Sequence, residues 1–162
     1  MATSSVISRS MTTDRWLWGA NMLLAIIGLV DAIYLAYVKL DRSTPAFCAP
    51  GGGCDVVNTS PYSEIFGIPI AVLGAGAYLT IVVALLLESR NVKWRYPALL
   101  AQFGVALIGV LYSAYLTYLE LAVIHAICPY CVVSAILLTI MFFISGYRLV
   151  KYEPYEDALD TQ

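Results

Sequence analysis

Four cysteines, one histidine and a few carboxylates are the groups in this chain best suited to chemistry. Two of the cysteines stand as Cys128-Pro129-Tyr130-Cys131, at the head of an apolar run from Val132 to Leu149. Thiols so spaced at a helix start face each other across one turn. They can close a disulfide or open to a dithiol, and so carry two electrons. Pro129 suits the first helical position, where its missing N–H costs nothing. Cys128 then lies at the cap, where unpaired N–H groups and the helix dipole favour the thiolate, the reactive form. The other two cysteines, Cys48 and Cys54, bracket the glycine-rich segment Cys-Ala-Pro-Gly-Gly-Gly-Cys. A mobile loop of this kind can meet an outside thiol protein and then reach the C-x-x-C, because exchange needs a thiolate in contact with a disulfide sulfur. In this reading Cys54 exchanges with Cys128. Cys131, a turn deeper, faces the membrane interior, where a lipid-soluble electron acceptor is required and a quinone fits.

Two static disulfides bracing outer loops would explain the pairs, but not a C-x-x-C placed at a helix start. A four-cysteine zinc site normally uses two short-spaced pairs. Five residues separate Cys48 from Cys54, and no metal is expected.

These thiols need a scaffold, and the composition says which. The chain has 162 residues, 60% of them hydrophobic and 12% charged. A soluble domain is closer to half apolar and a quarter charged. The excess lies in long runs, each near the ~20 residues that span a bilayer at about 1.5 Å per residue. Spans are expected at about 16–38, 66–87, 97–121 and 129–149. The first is too long for the apolar core of a signal peptide and is read as a retained helix. Residues 1–15 read as a mobile cytoplasmic tail and 151–162 as an acidic one. Residues 39–65 form an outer loop, rich in Pro and Gly, with a short helix near Cys54–Thr59. Only His125 and its neighbours are left to turn the chain between the last two spans. The expected fold is an all-α membrane protein: a four-transmembrane-helix bundle with an outer capping loop. The net charge of −2 leaves no basic field for nucleic acid.

Basic residues set the orientation. With the N-terminus inside, Arg9, Arg15, Arg90, Lys93, Arg95, Arg148 and Lys151 are cytoplasmic, and only Lys39 and Arg42 are outside. Both termini are therefore expected inside and all four cysteines on the outer face. In bacteria that is the oxidising side of the plasma membrane. Trp16, Trp18, Trp94, Tyr96 and Tyr147 would form the inner aromatic belt, and Tyr34, Tyr37, Tyr62, Tyr118 and Tyr130 the outer one.

Further polar residues have two readings each. Asp31 either lines a quinone pocket, as a polar contact or proton donor, or reaches water two turns from the outer end. Asn21 is expected in a helix–helix hydrogen bond. Glu120 and His125 lie near the outer end of the third span; His125 is either a proton relay or a solvated interfacial residue. Phe47, Phe66 and Tyr62 either cover a quinone ring or anchor the interface. Gly67, Gly74, Gly76, Gly104 and Gly109 suit close helix packing.

The chain resembles the vitamin K epoxide reductase family. The resemblance rests on the loop cysteine pair, on Cys54-Asp-Val-Val-Asn-Thr-Ser60-Pro-Tyr-Ser, on Phe66-Gly67-Ile68-Pro69 opening the second helix, and on the C-x-x-C of the fourth. Asp31-Ala-Ile-Tyr34-Leu35 adds to it. It covers roughly residues 16–150 and is strongest to bacterial members, which pass electrons from thioredoxin-like periplasmic proteins to quinone and so drive disulfide formation. It implies that Cys48 and Cys54 are the shuttle pair. It makes Cys128 and Cys131 the redox centre, with Cys131 beside the quinone, and Ser60 the loop serine near the active site. Animal members carry a tyrosine four positions after the second C-x-x-C cysteine. Ala135 stands there, so hydrogen bonds to quinone are expected from other residues. Many bacterial relatives continue into a thioredoxin-like domain. This sequence stops at Gln162, so the expected partner is a separate thioredoxin-like, DsbA-type protein, and the acceptor menaquinone or ubiquinone.

The function expected is a quinone-linked thiol oxidoreductase at the bacterial plasma membrane. The alternatives are a four-span structural or adaptor protein with static disulfides, a transporter, or a convergent DsbB-type oxidase. A transporter wants polar residues deep in several spans, which are almost absent here. Ser60 and Phe-Gly-Ile-Pro favour the resembled family over the DsbB type.

Overall fold

A computed structural model describes residues 2–41, 48 and 53–152 of the chain. Five helices account for most of it: α1 (Ala2–Leu40), α2 (Cys54–Thr59), α3 (Ile70–Arg90), α4 (Arg95–Leu119) and α5 (Pro129–Val150). Four stretches are long and apolar enough to cross a membrane: Asp14–Leu40, Ile70–Arg90, Arg95–Ile124 and Pro129–Val150. The fold is thus an all-α, four-span membrane bundle, as the apolar runs require. Helices α1, α3, α4 and α5 pack in a ring, each against the next, with α5 closing on α1. Leu23, Val30, Ile108 and Phe143 are more than half exposed and form the outward face, where a bilayer replaces water as solvent.

Small side chains set the helix spacing. Tyr78 of α3 lies flat against Gly28 of α1, where an added Cβ would sit 2.2 Å from its ring. Ala25, Ala32, Ile81, Leu85, Leu138 and Met141 complete the buried core around it. Gly109 meets Leu138 at a would-be Cβ distance of 3.0 Å. Gly76 and Gly104, also expected to allow close approach, have no neighbour within 4 Å of a would-be Cβ. The close approaches fall at Gly109, as expected, and at Gly28.

One end of the bundle is tied by polar groups. Asn21 donates to Gln102 Oε1 (3.3 Å) and Ser145 Oγ (3.1 Å), the helix–helix bonding expected of it. Gln102 donates on to Glu88 at 3.1 Å. Arg148 pairs with Glu88 and, at 2.9 Å, with Asp14, which also holds Arg95 at 2.8 Å. Every spanning helix contributes to this clamp.

Two boundaries depart from expectation. The polar residues ahead of Trp16 continue α1 from Ala2 instead of forming a separate irregular tail, since an existing helix propagates at little cost. The second helix does not open at Phe66. Residues Glu64–Ile65 and Ile68–Pro69 pair as short antiparallel strands β1 and β2. Phe66 (φ 52°) and Gly67 (φ 80°) turn the chain between them. Positive φ at both central residues is the type I′ pattern, which suits the twist of a two-residue hairpin. Helix α3 begins only after Pro69. The tail from Glu153 onward lies outside the described residues.

Candidate functional site

All four cysteines gather at the end of the bundle opposite the polar clamp. Cys48 and Cys54 are joined as a disulfide with Cα atoms 6.2 Å apart, and Cys128 and Cys131 are free thiols. Cys54, Cys128 and Val38 form one buried cluster, with Cys48, Cys131, Tyr34, Val57 and Tyr130 packed around it. Cys54 and Cys128 are 0% and 2% exposed. The disulfide and the dithiol are therefore neighbours, with Cys54 and Cys128 buried and Cys48 and Cys131 partly exposed.

Local sequence explains this placement. Cys128 is the N-cap of α5 in an extended conformation, with Pro129 at the first helical position, and its carbonyl accepts Val132 N–H at 3.1 Å. The Cys131 thiol, one turn on, donates a hydrogen bond to Cys128 sulfur. That bond stabilises the Cys128 thiolate and lowers its pKa below the ordinary thiol range, against the opposing effect of burial. Helix α2 brings in the other pair. Gly53 N–H donates to Ile127 O at 3.0 Å, and a Cβ on Gly53 would lie 2.5 Å from that of Ala126. This contact holds the start of α2 against the segment that leads into the C-x-x-C.

The cap over the site is pinned by a residue the sequence reading used only for charge counting. Lys39, at the end of α1, donates to Asn58 O (2.6 Å) and Ser63 Oγ (2.8 Å) and pairs with Glu64 at 3.1 Å. Ser60 lies in the same cap. Its hydroxyl donates to Val57 O at 2.7 Å, closing the turn after α2.

Beneath the cap is a cavity of about 480 Å³ among α1, α3, α4 and α5. Its wall is mostly apolar, and Asp31, Ser60, Tyr62, Glu120, Cys128 and Cys131 border it. Asp31 borders the cavity, and its Oδ2 is buried with no hydrogen-bond partner among the described residues. Tyr78 and Ser134 hydroxyls, 2.9 Å apart, lie on the same wall. Ala135 is not on it.

Phe66 is a correction. It stands at the tip of the β1–β2 turn, 100% exposed and off the cavity wall. The positive φ of the turn throws its side chain away from the bundle. Tyr62 does border the cavity, and Phe47 lies outside the described residues. His125 is exposed and takes a left-handed conformation (φ 57°) that ends the third spanning segment; it is the solvated residue of the two readings.

Glu120 is the residue the sequence undervalued. Helix α4 gives way at Leu119 to a π turn, Glu120–Ile124. Such insertions are rare and occur often at functional sites. The turn carries the Glu120 side chain into the bundle, 4% exposed. Its Oε2 accepts Cys128 N–H at 3.2 Å, and it borders the cavity together with Cys131. A carboxylate in an otherwise apolar stretch eight positions before a C-x-x-C was the available signal.

The sequence profile of the vitamin K epoxide reductase family matches residues 20–145. The chain belongs to the vitamin K epoxide reductase family, whose four-helix membrane architecture it shares. It is 35% identical over 141 residues to thiol-disulfide oxidoreductase LTO1 of Arabidopsis thaliana. That match takes in 83% of this chain and 37% of the relative, so the chain spans little more than a third of the relative's length.

Proposed function

We propose that this protein is a thiol:quinone oxidoreductase that reoxidises a thioredoxin-like protein and so drives disulfide formation. The observation that carries the proposal is the buried cluster that joins Cys54 and Cys128, which sets a disulfide beside a dithiol on the wall of an apolar cavity. Family membership and the name of the plant relative support the thiol oxidoreductase class. The charge bias supports a bacterial plasma membrane setting, with both termini cytoplasmic and the cysteines outside.

In this mechanism a thiolate of the partner attacks the Cys48–Cys54 disulfide and leaves it as a dithiol. Cys54 then exchanges with Cys128, and the electrons reside on the Cys128–Cys131 pair. A quinone, menaquinone or ubiquinone, supplies a two-electron, two-proton acceptor. The cavity suits it: large enough for a ring, apolar, and with few polar groups. Asp31 Oδ2, unpartnered and buried there, is the group placed to bond a ring oxygen when it carries a proton. Cys131, half-buried, lines the cavity together with Cys128 and is the sulfur assigned to reduce the quinone. Ser60 and Lys39 hold the roof, Ser60 through the α2 turn and Lys39 through Asn58 and Ser63.

The test is a thiol-alkylation gel shift on protein trapped in cells with and without quinone. Wild type should hold the Cys48/Cys54 pair oxidised when quinone is present and accumulate reduced thiols when it is withdrawn. Cys131→Ala should accumulate reduced loop thiols in both conditions. Cysteines fully oxidised in every condition and every variant would sink the relay and leave a static brace.

A further inference from the structure

We propose that Glu120 is the proton-transfer residue of the C-x-x-C pair, giving a proton to Cys131 sulfur as the disulfide opens and taking it back as the pair is oxidised. The inference rests on the relay just described and assigns a catalytic residue within it. Three observations carry it. Glu120 is buried, so its carboxylate is shielded from bulk proton exchange. It borders the cavity together with Cys131 and, through Oε2, accepts the Cys128 backbone N–H at 3.2 Å. It is turned inward by a π turn inserted at that point in α4.

The need for such a group follows from the chemistry. When Cys54 thiolate attacks Cys128 sulfur, the Cys54–Cys128 bond forms and the Cys128–Cys131 bond breaks. The electron pair goes to Cys131. That sulfur lies on a mostly apolar cavity wall, where an uncompensated thiolate is costly. The Glu120 carboxyl protonates it. Cys48 thiolate then attacks Cys54 and restores the loop disulfide. Cys128 leaves as a thiolate held by the new Cys131 S–H. The two protons of the loop thiols have gone to outer water, and Glu120 is ionised. In the second half the pair delivers two electrons to quinone and closes its disulfide. The Cys131 proton returns to Glu120, and the two protons that complete the quinol come from the same outer water. Summed, a dithiol and a quinone give a disulfide and a quinol. The proton on Glu120 only shuttles between carboxyl and sulfur.

The titratable groups that share the cavity wall with this carboxylate are Cys128 and Cys131 at the head of α5, Asp31 of α1, Tyr62 of the cap, Tyr78 of α3 and Tyr112 of α4; Cys54 of α2, bonded to Cys48, clusters with Cys128. Among the described residues no cation lies within ion-pair distance of Glu120.

The experiment uses the full chain in nanodiscs without quinone. It follows reduction of the Cys128–Cys131 disulfide by a small dithiol in stopped flow, across pH. Glu120→Gln keeps the acceptor for Cys128 N–H but cannot carry the proton. It should slow the step by about 100-fold or more, the usual worth of a positioned proton donor, and flatten the rise towards low pH of the rate divided by the dithiol's thiolate fraction. Glu120→Asp should lose about tenfold and keep the pH dependence. A Glu120→Gln rate within about threefold of wild type, with the same pH profile, overturns the proposal. So does Glu120→Asp behaving like Glu120→Gln, which would make the side chain a positioning group only. If Glu120→Gln does not fold, Glu120→Asp decides alone: a retained pH profile supports the proposal and a flat one refutes it. A separate run with quinone isolates the underlying reading. Wild type that is reduced normally by dithiol but passes no electrons to quinone would refute the quinone reaction and leave the Glu120 result standing.

Discussion

At the end away from the cysteines, Asn21, Gln102, Glu88, Ser145 and Arg148 are all buried and bonded to one another, with Asp14 and Arg95 closing the outer side. At the cysteine end the polar groups are set around groups that change state: Glu120 on the backbone N–H of Cys128, Cys54 clustered with Cys128, and Asp31 Oδ2 without a partner among the described residues. Each end leaves one buried oxygen unpartnered, Asn21 Oδ1 at one and Asp31 Oδ2 at the other, and only Asp31 borders the cavity. Charges inside a membrane are expensive and persist where paired or put to use. The first end is paired and holds the helices. The second is free to exchange electrons and protons because the first fixes the bundle around it.

The strongest way to break this contrast is to unpair the clamp. Arg148→Ala would leave Glu88 as a buried, uncompensated charge beside Gln102. Losing one partner of a buried ion pair costs about 3–5 kcal/mol. Thermal unfolding in detergent should report that loss, and Arg148→Met combined with Glu88→Leu should recover most of it. A single variant as stable as wild type would mean the clamp is not structural. Electron transfer per folded molecule should stay within a few-fold of wild type, since no clamp residue touches the cavity.

The cysteine end should respond to pH instead. The thiol of Cys131 holds the Cys128 thiolate, so Cys128 ionises below the ordinary thiol range. The sign follows. With its pKa depressed in the fold, Cys128 stabilises the reduced protein above the ordinary thiol pKa, and that contribution disappears as pH falls through the depressed value. Alkylation of Cys128 by a small reagent should therefore reach half its maximal rate at a lower pH than a free thiol. In Cys131→Ala the midpoint should move up, because the donor is gone while burial remains. An unchanged midpoint would show that the helix cap alone sets the thiolate.

Much of this was legible from residue spacing. Pro129 and Cys128 mark the start of α5, and glycines ahead of Cys54 isolate α2, because caps and breakers act over a few residues. The cysteines gather at one end because span parity puts them there. The clamp was not legible beyond Asn21: Asp14 and Arg148 are 134 positions apart, and no local pattern announces their pairing. Glu120 was noticed but underrated, because its direction depends on a π turn that only the packing of α4 against α5 reveals. Lys39 is similar, reaching across to Asn58 and Ser63 in a cap whose path sequence does not specify.

Phe66 gives the smallest and most discriminating change. The sequence made it the first residue of a helix and either a cover for the quinone ring or an interface anchor; the structure makes it the exposed tip of a two-residue turn. A phenylalanine at φ 52° is held in a conformation that costs a non-glycine residue about 1–2 kcal/mol, and asparagine before glycine is the pairing such turns prefer. Phe66→Asn should therefore raise stability by about 0.5–1 kcal/mol, the part of that strain that asparagine relieves in such a turn. It should leave the KM for quinone unchanged, because the side chain does not reach the cavity. Tyr62→Ala, on the cavity border, should raise that KM several-fold. If Phe66→Asn raised KM as much as Tyr62→Ala, the hairpin tip would have to fold back over the ring during turnover, and the cysteine end would be looser than its packed cap implies.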